Sequence, residues 1–279
     1  MKNYYCLVAG LPDLAPEDAR PAIASARFKE LCWDGLSKAD KRVIALFYLQ
    51  YDNRNLLALL SKGEEAPFDE RGMFARTDLI EARDKVKQRD EQGRKLLPYF
   101  YRFIESYPTL HETSEQLPED VLAGLYYDYA AQSANAFARR WFAFNRNVNN
   151  ILIALTARRH NFNAAPYLIG RDEVTQALAA SGARDFGLGG ELDYVEEVSR
   201  IFEMPEATER ERKLDLLKWA WLDEETFFNY FSVERLLVFL LKTEIIERWM
   251  PIDKERGAQV FRNLVSRLTS EVSIPKMKK

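Results

Sequence analysis

The sequence predicts an all-α protein: an elongated multi-helix body with a short extended arm at its N-terminus. Three observations predict it. Apolar residues recur at spacings of three and four along most of the chain. Glycine and proline are scarce, 12 and 11 among 279 residues. Only one stretch, at the very start, reads as extended.

That stretch is Tyr4-Tyr5-Cys6-Leu7-Val8-Ala9-Gly10-Leu11-Pro12, an aromatic and apolar run closed by Gly and Pro, as a strand or a buried arm would be. Ser37 is a good N-cap for a helix with Val43, Ile44, Phe47 and Tyr48 on its apolar face. Asp52 and Asn53 cap or interrupt it, and Leu56, Leu57, Leu59 and Leu60 continue the face. Residues 62–76 read as a loop. From Thr77 to Gln92 the chain is densely charged, the pattern of a solvated helix carrying i,i+4 ion pairs or of a partner-binding face.

Pro118 suits the first turn of a helix, and the helical pattern it opens runs to about Arg159, about 60 Å if unbroken. Phe137, Trp141, Phe144, Val148, Ile151 and Leu155 form a stripe that fits burial against other helices rather than a ligand box. Asn145, Asn147, Asn149 and Asn150 are poor residues for a helix interior. They predict either a bend or break near 145–150, or amides that meet buried backbone or a partner. A short helix follows Gly170 as far as Ala180. Residues 181–190, containing Gly187-Leu188-Gly189-Gly190, read as a flexible linker and hinge. Helices are expected at about 191–202 and 206–222. Ser232 caps an apolar helix with Leu236, Leu237, Phe239, Leu240 and Ile245; Pro251 breaks it, and Asp253 caps a last helix to about Val272. The basic tail Lys276-Met277-Lys278-Lys279 is expected to fray.

Composition narrows the function. A net charge of −3, from 40 basic and 43 acidic residues, lacks the basic footprint of a nucleic-acid binder. No segment approaches about 18 uncharged apolar residues, so direct membrane insertion is not expected, and the apolar run at 4–11 is too short for a signal peptide core. A cytoplasmic protein follows, free to dock on a membrane complex. Cys6 and Cys32 lie far apart among apolar neighbours; they read as two buried thiols, with a single disulfide the alternative.

Catalytic patterns are wanting. His111 sits in a Pro-Thr-Leu-His-Glu-Thr loop, and His160 ends a basic helix, where a cation suits the helix C-terminus. No Cys or His pair has metal-ligand spacing, and the glycines at 187–190 lack both the dinucleotide and the P-loop patterns. Glu119-Asp120 lies where a helix N-terminus favours acids, and Asp223-Glu224-Glu225 is a second acidic cluster. No catalytic, cofactor-binding or metal-binding residue is expected, although paired carboxylates or the Asn cluster could still serve a substrate.

A faint repeat runs through the chain. Asp52-Asn53-Arg54-Asn55 and the leucines after it lie over Asn147-Val148-Asn149-Asn150 and its apolar helix, an offset of 95 residues. A weaker copy, Ser232-Val233-Glu234-Arg235 with Leu236 to Leu240, lies 85 residues further on and loses the Asn. Three modules, 1–95, 96–185 and 186–279, would follow within one helical domain. The rival explanation is chance, since apolar helices after Asn or Ser caps are common.

The segment Asn147 to Arg159, with Pro166-Tyr167-Leu168-Ile169-Gly170 after it, resembles the family of stalk-cap subunits found in prokaryotic and eukaryotic V/A-type rotary ATPases. The shared elements are an Asp/Asn-x-x-Asn-apolar helix, a basic stretch and a Leu-Ile-x-Gly. The copy at 52–60 and the apolar helix at 233–248 fall where that family's pseudo-repeats stand. The opening, Asn3 to Leu14, is similar to the start of an uncharacterised bacterial family encoded beside V-type ATPase genes. The third copy departs from the pattern with Lys242-Thr243-Glu244 and Glu247-Arg248 where a Lys/Glu/Asn-Arg motif would stand. The resemblance implies a non-catalytic body of three helical modules that joins the rotating central shaft to the membrane rotor ring. Rotor-ring and shaft proteins would be its partners, and it would need no cofactor. A helical adaptor unrelated to ATPases is the alternative.

Overall fold

A computed structural model describes residues 3–114, 116–226 and 231–271, with side chains throughout except at 111, 113 and 253–271. The chain is all-α, with no strand among the described residues. Its helices are α1 (Tyr5–Ala9), α2 (Ser25–Trp33), α3 (Lys38–Lys62), α4 (Arg76–Gln88), α5 (Pro98–Ser106), α6 (Leu110–Thr113), α7 (Pro118–Ala130), α8 (Ala136–His160), α9 (Glu173–Ala180), α10 (Val195–Phe202), α11 (Ala207–Thr226) and α12 (Val233–Glu271). They fall into two compact units. One joins residues 1–36 to 215–279; the other is Ser37–Leu214, so α11 begins in the second and ends in the first.

The first unit is organised around α12. Leu236, Leu237, Val238, Phe239, Leu240 and Leu241 are all buried, so this stretch is covered on every side rather than along one stripe. Phe28 of α2 stacks on Phe239 with ring centres 5.5 Å apart. Glu247 of α12 caps the N-terminus of α2, accepting from the Ser25 backbone N–H at 2.8 Å and from its hydroxyl at 2.6 Å. Asp215, buried at the first unit's end of α11, accepts from Arg248 and, at 2.8 Å, from the Trp249 indole N–H.

The extended N-terminal arm is corrected: α1 occupies Tyr5–Ala9. A helical turn puts Val8 one turn after Tyr4, so that both are buried, while the Tyr4 N–H donates to the Phe231 carbonyl at 2.7 Å. That placement leaves Cys6 exposed, so only Cys32 is a buried thiol, and both are free. Burial pushes the Cys32 thiol up to about 11. Nor does Pro251 break the last helix. It lies inside α12, which passes Asp253 without a new start and forgoes one backbone hydrogen bond at the proline. The tail at 276–279 lies outside the described residues.

The second unit is built on two helices of 25 residues each, α3 and α8. Ser37 caps α3 as expected, accepting from Asp40 N–H at 3.2 Å. Asp52 and Asn53 neither cap nor interrupt it, because both are buried and bonded within the unit. Aromatic rings fill the space between helices: Phe47 of α3 meets Phe142 of α8 at 5.1 Å, and Tyr126 of α7 meets Phe142 edge-on at 5.2 Å. The long helix expected from Pro118 is two helices. Ala131 to Asn135 separate them, and the Asn135 side chain caps α8 by accepting from Ala138 N–H at 2.9 Å. Asn161, at φ 56°, ends α8 in the left-handed conformation.

The glycine-rich stretch at 181–190 is no free linker. Phe186 and Leu188 are buried, and the Arg158 guanidinium lies 3.6 Å from the Phe186 ring centre. Arg158 also donates to the Ser181 carbonyl at 2.5 Å, which ties the stretch back to α8. His111 lies in the short helix α6 rather than in a loop; its side chain is outside the described residues. His160 is the last residue of α8, where the sequence placed it.

Candidate functional site

Two asparagines, Asn55 and Asn150, are structural clasps. Asn150 is fully buried. Its amide donates to the Ile169 carbonyl at 2.7 Å and its oxygen accepts from the Ile169 N–H at 2.9 Å. Asn55 makes the same pair of bonds to the backbone of Asp69, each at 2.8 Å. In both cases one planar side chain satisfies the donor and acceptor of a loop residue that has left regular structure. The loop then leads into a short helix, α4 after Asp69 and α9 after Ile169.

Polar residues just before the clasps are engaged as well, each in its own way. Asp52, fully buried, accepts from the N–H groups of Met73 and Phe74. A Cβ on Gly72 would sit 2.3 Å from its carboxylate oxygen, so this approach needs glycine. Asn53 accepts from the Tyr99 hydroxyl at 2.8 Å, and Asn147 donates to the Tyr194 hydroxyl at 3.2 Å. Burial raises the pKa of both phenols, keeping them neutral donors or acceptors. The two tyrosines start α5 and precede α10; they are 95 residues apart, but their partners Asn53 and Asn147 are 94 apart and hold different places in the repeat. Sequence reading passed over them, and no spacing shared with their partners marks them.

Asn145 donates to the Trp141 carbonyl one turn back, at 2.8 Å. The helix does not break at 145–150; of the two expectations for this cluster, amides on backbone is the one realised, at Asn145 and Asn150. Arg146 pairs with Asp172, the N-cap of α9, so a third polar link joins α8 to the loop that Asn150 holds. Burial pushes the Asp172 carboxyl up, but hydrogen bonds from Thr175 and the charge of Arg146 together outweigh it and hold the group below the usual range.

A cleft of about 450 Å³ opens in the first unit. Leu11, Pro12 and Leu14 line it from the segment after α1, Trp219 and Asp223 from α11, and Arg235, Phe239 and Lys242 from α12. Lys242 is buried, with 7% of its surface exposed. Its ammonium donates to Asp223 at 2.5 Å and lies 4.4 Å from the centre of the Trp219 ring. Burial drives the Lys242 pKa below the ordinary lysine value; Asp223 opposes that shift and Arg235 adds to it. Sequence reading named no site residue here. The available signals were a lysine inside an otherwise apolar helix and an acid cluster at 223–225.

The other acid pair fits less well with its expected role. Glu119 and Asp120 do occupy the first turn of α7, but burial, with Glu119 second, raises the Asp120 pKa. No cluster able to hold a metal ion occurs among the described residues, and no helix among them is long and apolar enough to cross a membrane.

The model of a family described as Protein of unknown function (DUF2764) matches residues 1–272, and the chain belongs to that family. Comparisons with curated proteins and with solved structures return no match.

Proposed function

We propose that the chain is a non-catalytic coupling component of a V/A-type rotary ATPase, joining the central shaft to the membrane rotor ring. In this reading it works in the cytoplasm, peripheral to the membrane, through protein contacts. The observation that carries the reading is the doubled clasp. Asn55 and Asn150, the asparagines on which the resemblance to the stalk-cap family rests, are both spent on pinning a loop to a 25-residue helix. A part that transmits torque needs loops fixed to stiff helices. An enzyme would be expected to aim such unusual polar groups at a substrate.

The test is to tag the chain in its native host, solubilise membranes mildly and identify by mass spectrometry what co-purifies. Rotor-ring and shaft proteins recovered in constant proportion would support the coupling role. A chain recovered alone, with intact ATPase in the untagged fraction, would overturn it. Recovery of an unrelated partner would transfer the same fold to an adaptor role.

A further inference from the structure

We propose that Lys242 captures small carbonyl compounds bearing a carboxylate, of the 2-oxo acid class, as an imine within the first-unit cleft. Four features meet there. An amine lies at the wall of a space of about 450 Å³, a volume within the usual range for small-molecule sites. A carboxylate, Asp223, stands 2.5 Å from that amine, close enough to move its proton. Lys242 is itself buried, and burial disfavours an ammonium and favours a neutral, nucleophilic amine. Arg235 lines the same cleft and supplies a fixed positive charge for the compound's carboxylate.

The step balances without any further reagent. The neutral Nζ attacks the carbonyl carbon, and the C–O π electrons move to oxygen as the C–N bond forms. Asp223 carries one proton from Nζ to the alkoxide, giving a carbinolamine, and then carries the second Nζ proton to its hydroxyl. The C–O bond then breaks, water leaves, and the imine remains. The charged groups facing Lys242 in the cleft are Asp13 from the segment after α1, Asp223 from α11 and Arg235 from α12 itself. The burial-driven lowering of the Lys242 pKa acts in the direction the step requires.

Arg235 stands in the repeat at the place of Asn55 and Asn150. Where the first two copies carry a clasp, the third carries a cation on the wall of a cleft. That difference is a second reason to place a ligand in this copy rather than in the others.

The experiment treats the chain at pH 7 with glyoxylate and cyanoborohydride, then maps modified lysines by peptide mass spectrometry over time. Lys242 is expected to be reduced to a stable adduct about tenfold faster than an exposed lysine such as Lys62. Asp223→Asn should slow that adduct by about a hundredfold while leaving modification at Lys62 unchanged. Lys242→Met should abolish the fast phase, with circular dichroism reporting whether each variant keeps its helices. If a variant unfolds, the site map of the unaltered chain decides. Modification at Lys242 no faster than at Lys62, or unaffected by Asp223→Asn in a folded protein, would overturn the proposal.

Discussion

Replacing Asn150 by alanine removes one side chain and strands two backbone groups. Ile169 is 4% exposed and Asn150 is fully buried, so water cannot take the place of the amide. The orphaned Ile169 N–H and carbonyl would each cost about 1–3 kcal/mol. Alanine's better helix propensity returns only about 0.5 kcal/mol. The net expectation is a loss of about 2–5 kcal/mol from the Ser37–Leu214 unit, a large share of a typical domain's stability. Urea unfolding followed by circular dichroism would show it as an earlier midpoint. Asn55→Ala should cost less, about 1–3 kcal/mol, because its partner Asp69 is only half-buried and its freed groups can meet water. An Asn150→Ala midpoint within about 0.5 kcal/mol of the unaltered chain, or a larger loss for Asn55→Ala, would refute the clasp argument.

Other outcomes follow from the same structure. Gly72→Ala brings a Cβ to 2.3 Å from a buried carboxylate that cannot swing away, and should destabilise by about 1–3 kcal/mol in the same urea assay. Asp215→Ala leaves the Trp249 indole N–H without its acceptor, costing about 1–3 kcal/mol and altering tryptophan fluorescence on unfolding. Cys6 should react rapidly with a disulfide reagent at pH 8 while Cys32 reacts only after denaturation, so native protein titrates one thiol and unfolded protein two. Because burial raises the Cys32 pKa to about 11, its contribution to stability is complete below pH 9.0, the ordinary thiol value, and is lost as pH rises through about 11. Cys32→Ala should flatten that alkaline loss in a pH series of melting temperatures.

Much of this architecture was legible because it rests on local rules. Ser37 and Pro118 mark helix starts through capping and dihedral preferences that act within a few residues. The aromatic stripe on α8 was legible for the same reason: its period is set by the helix, and all but half-buried Leu155 are buried. What stayed hidden depends on distant partners. The Tyr4–Val8 stretch has strand composition, yet its backbone donates to Phe231, more than two hundred residues away. The pattern of 118–159 reads as one helix because no Gly or Pro marks the break; only the Asn135 side chain ends the ambiguity, by capping. Phe186 and Leu188 are the two large apolar residues in a glycine-rich run, and their burial turns an apparent linker into a packed turn. Lys242, Asp223 and Trp219 come from two helices, so spacing alone could not bring them together.

Three buried polar residues of the second unit, Asp52, Asn55 and Asn150, hydrogen-bond to backbone, while Asn53 and Asn147 meet tyrosine hydroxyls. Such bonds fix geometry, and a residue so engaged has little capacity left for a ligand. In the first unit Lys242 binds a side chain, Asp223, at the wall of an open cleft. Ion pairs rarely outperform good apolar packing, so a pair kept for a ligand should be replaceable by apolar residues at little cost in stability. Lys242→Met combined with Asp223→Leu therefore separates the two roles. If the pair holds the fold together, the double variant should melt earlier. If the cleft is kept for a ligand, the double variant should melt at or above the temperature of the unaltered chain and lose only its fast reaction with glyoxylate.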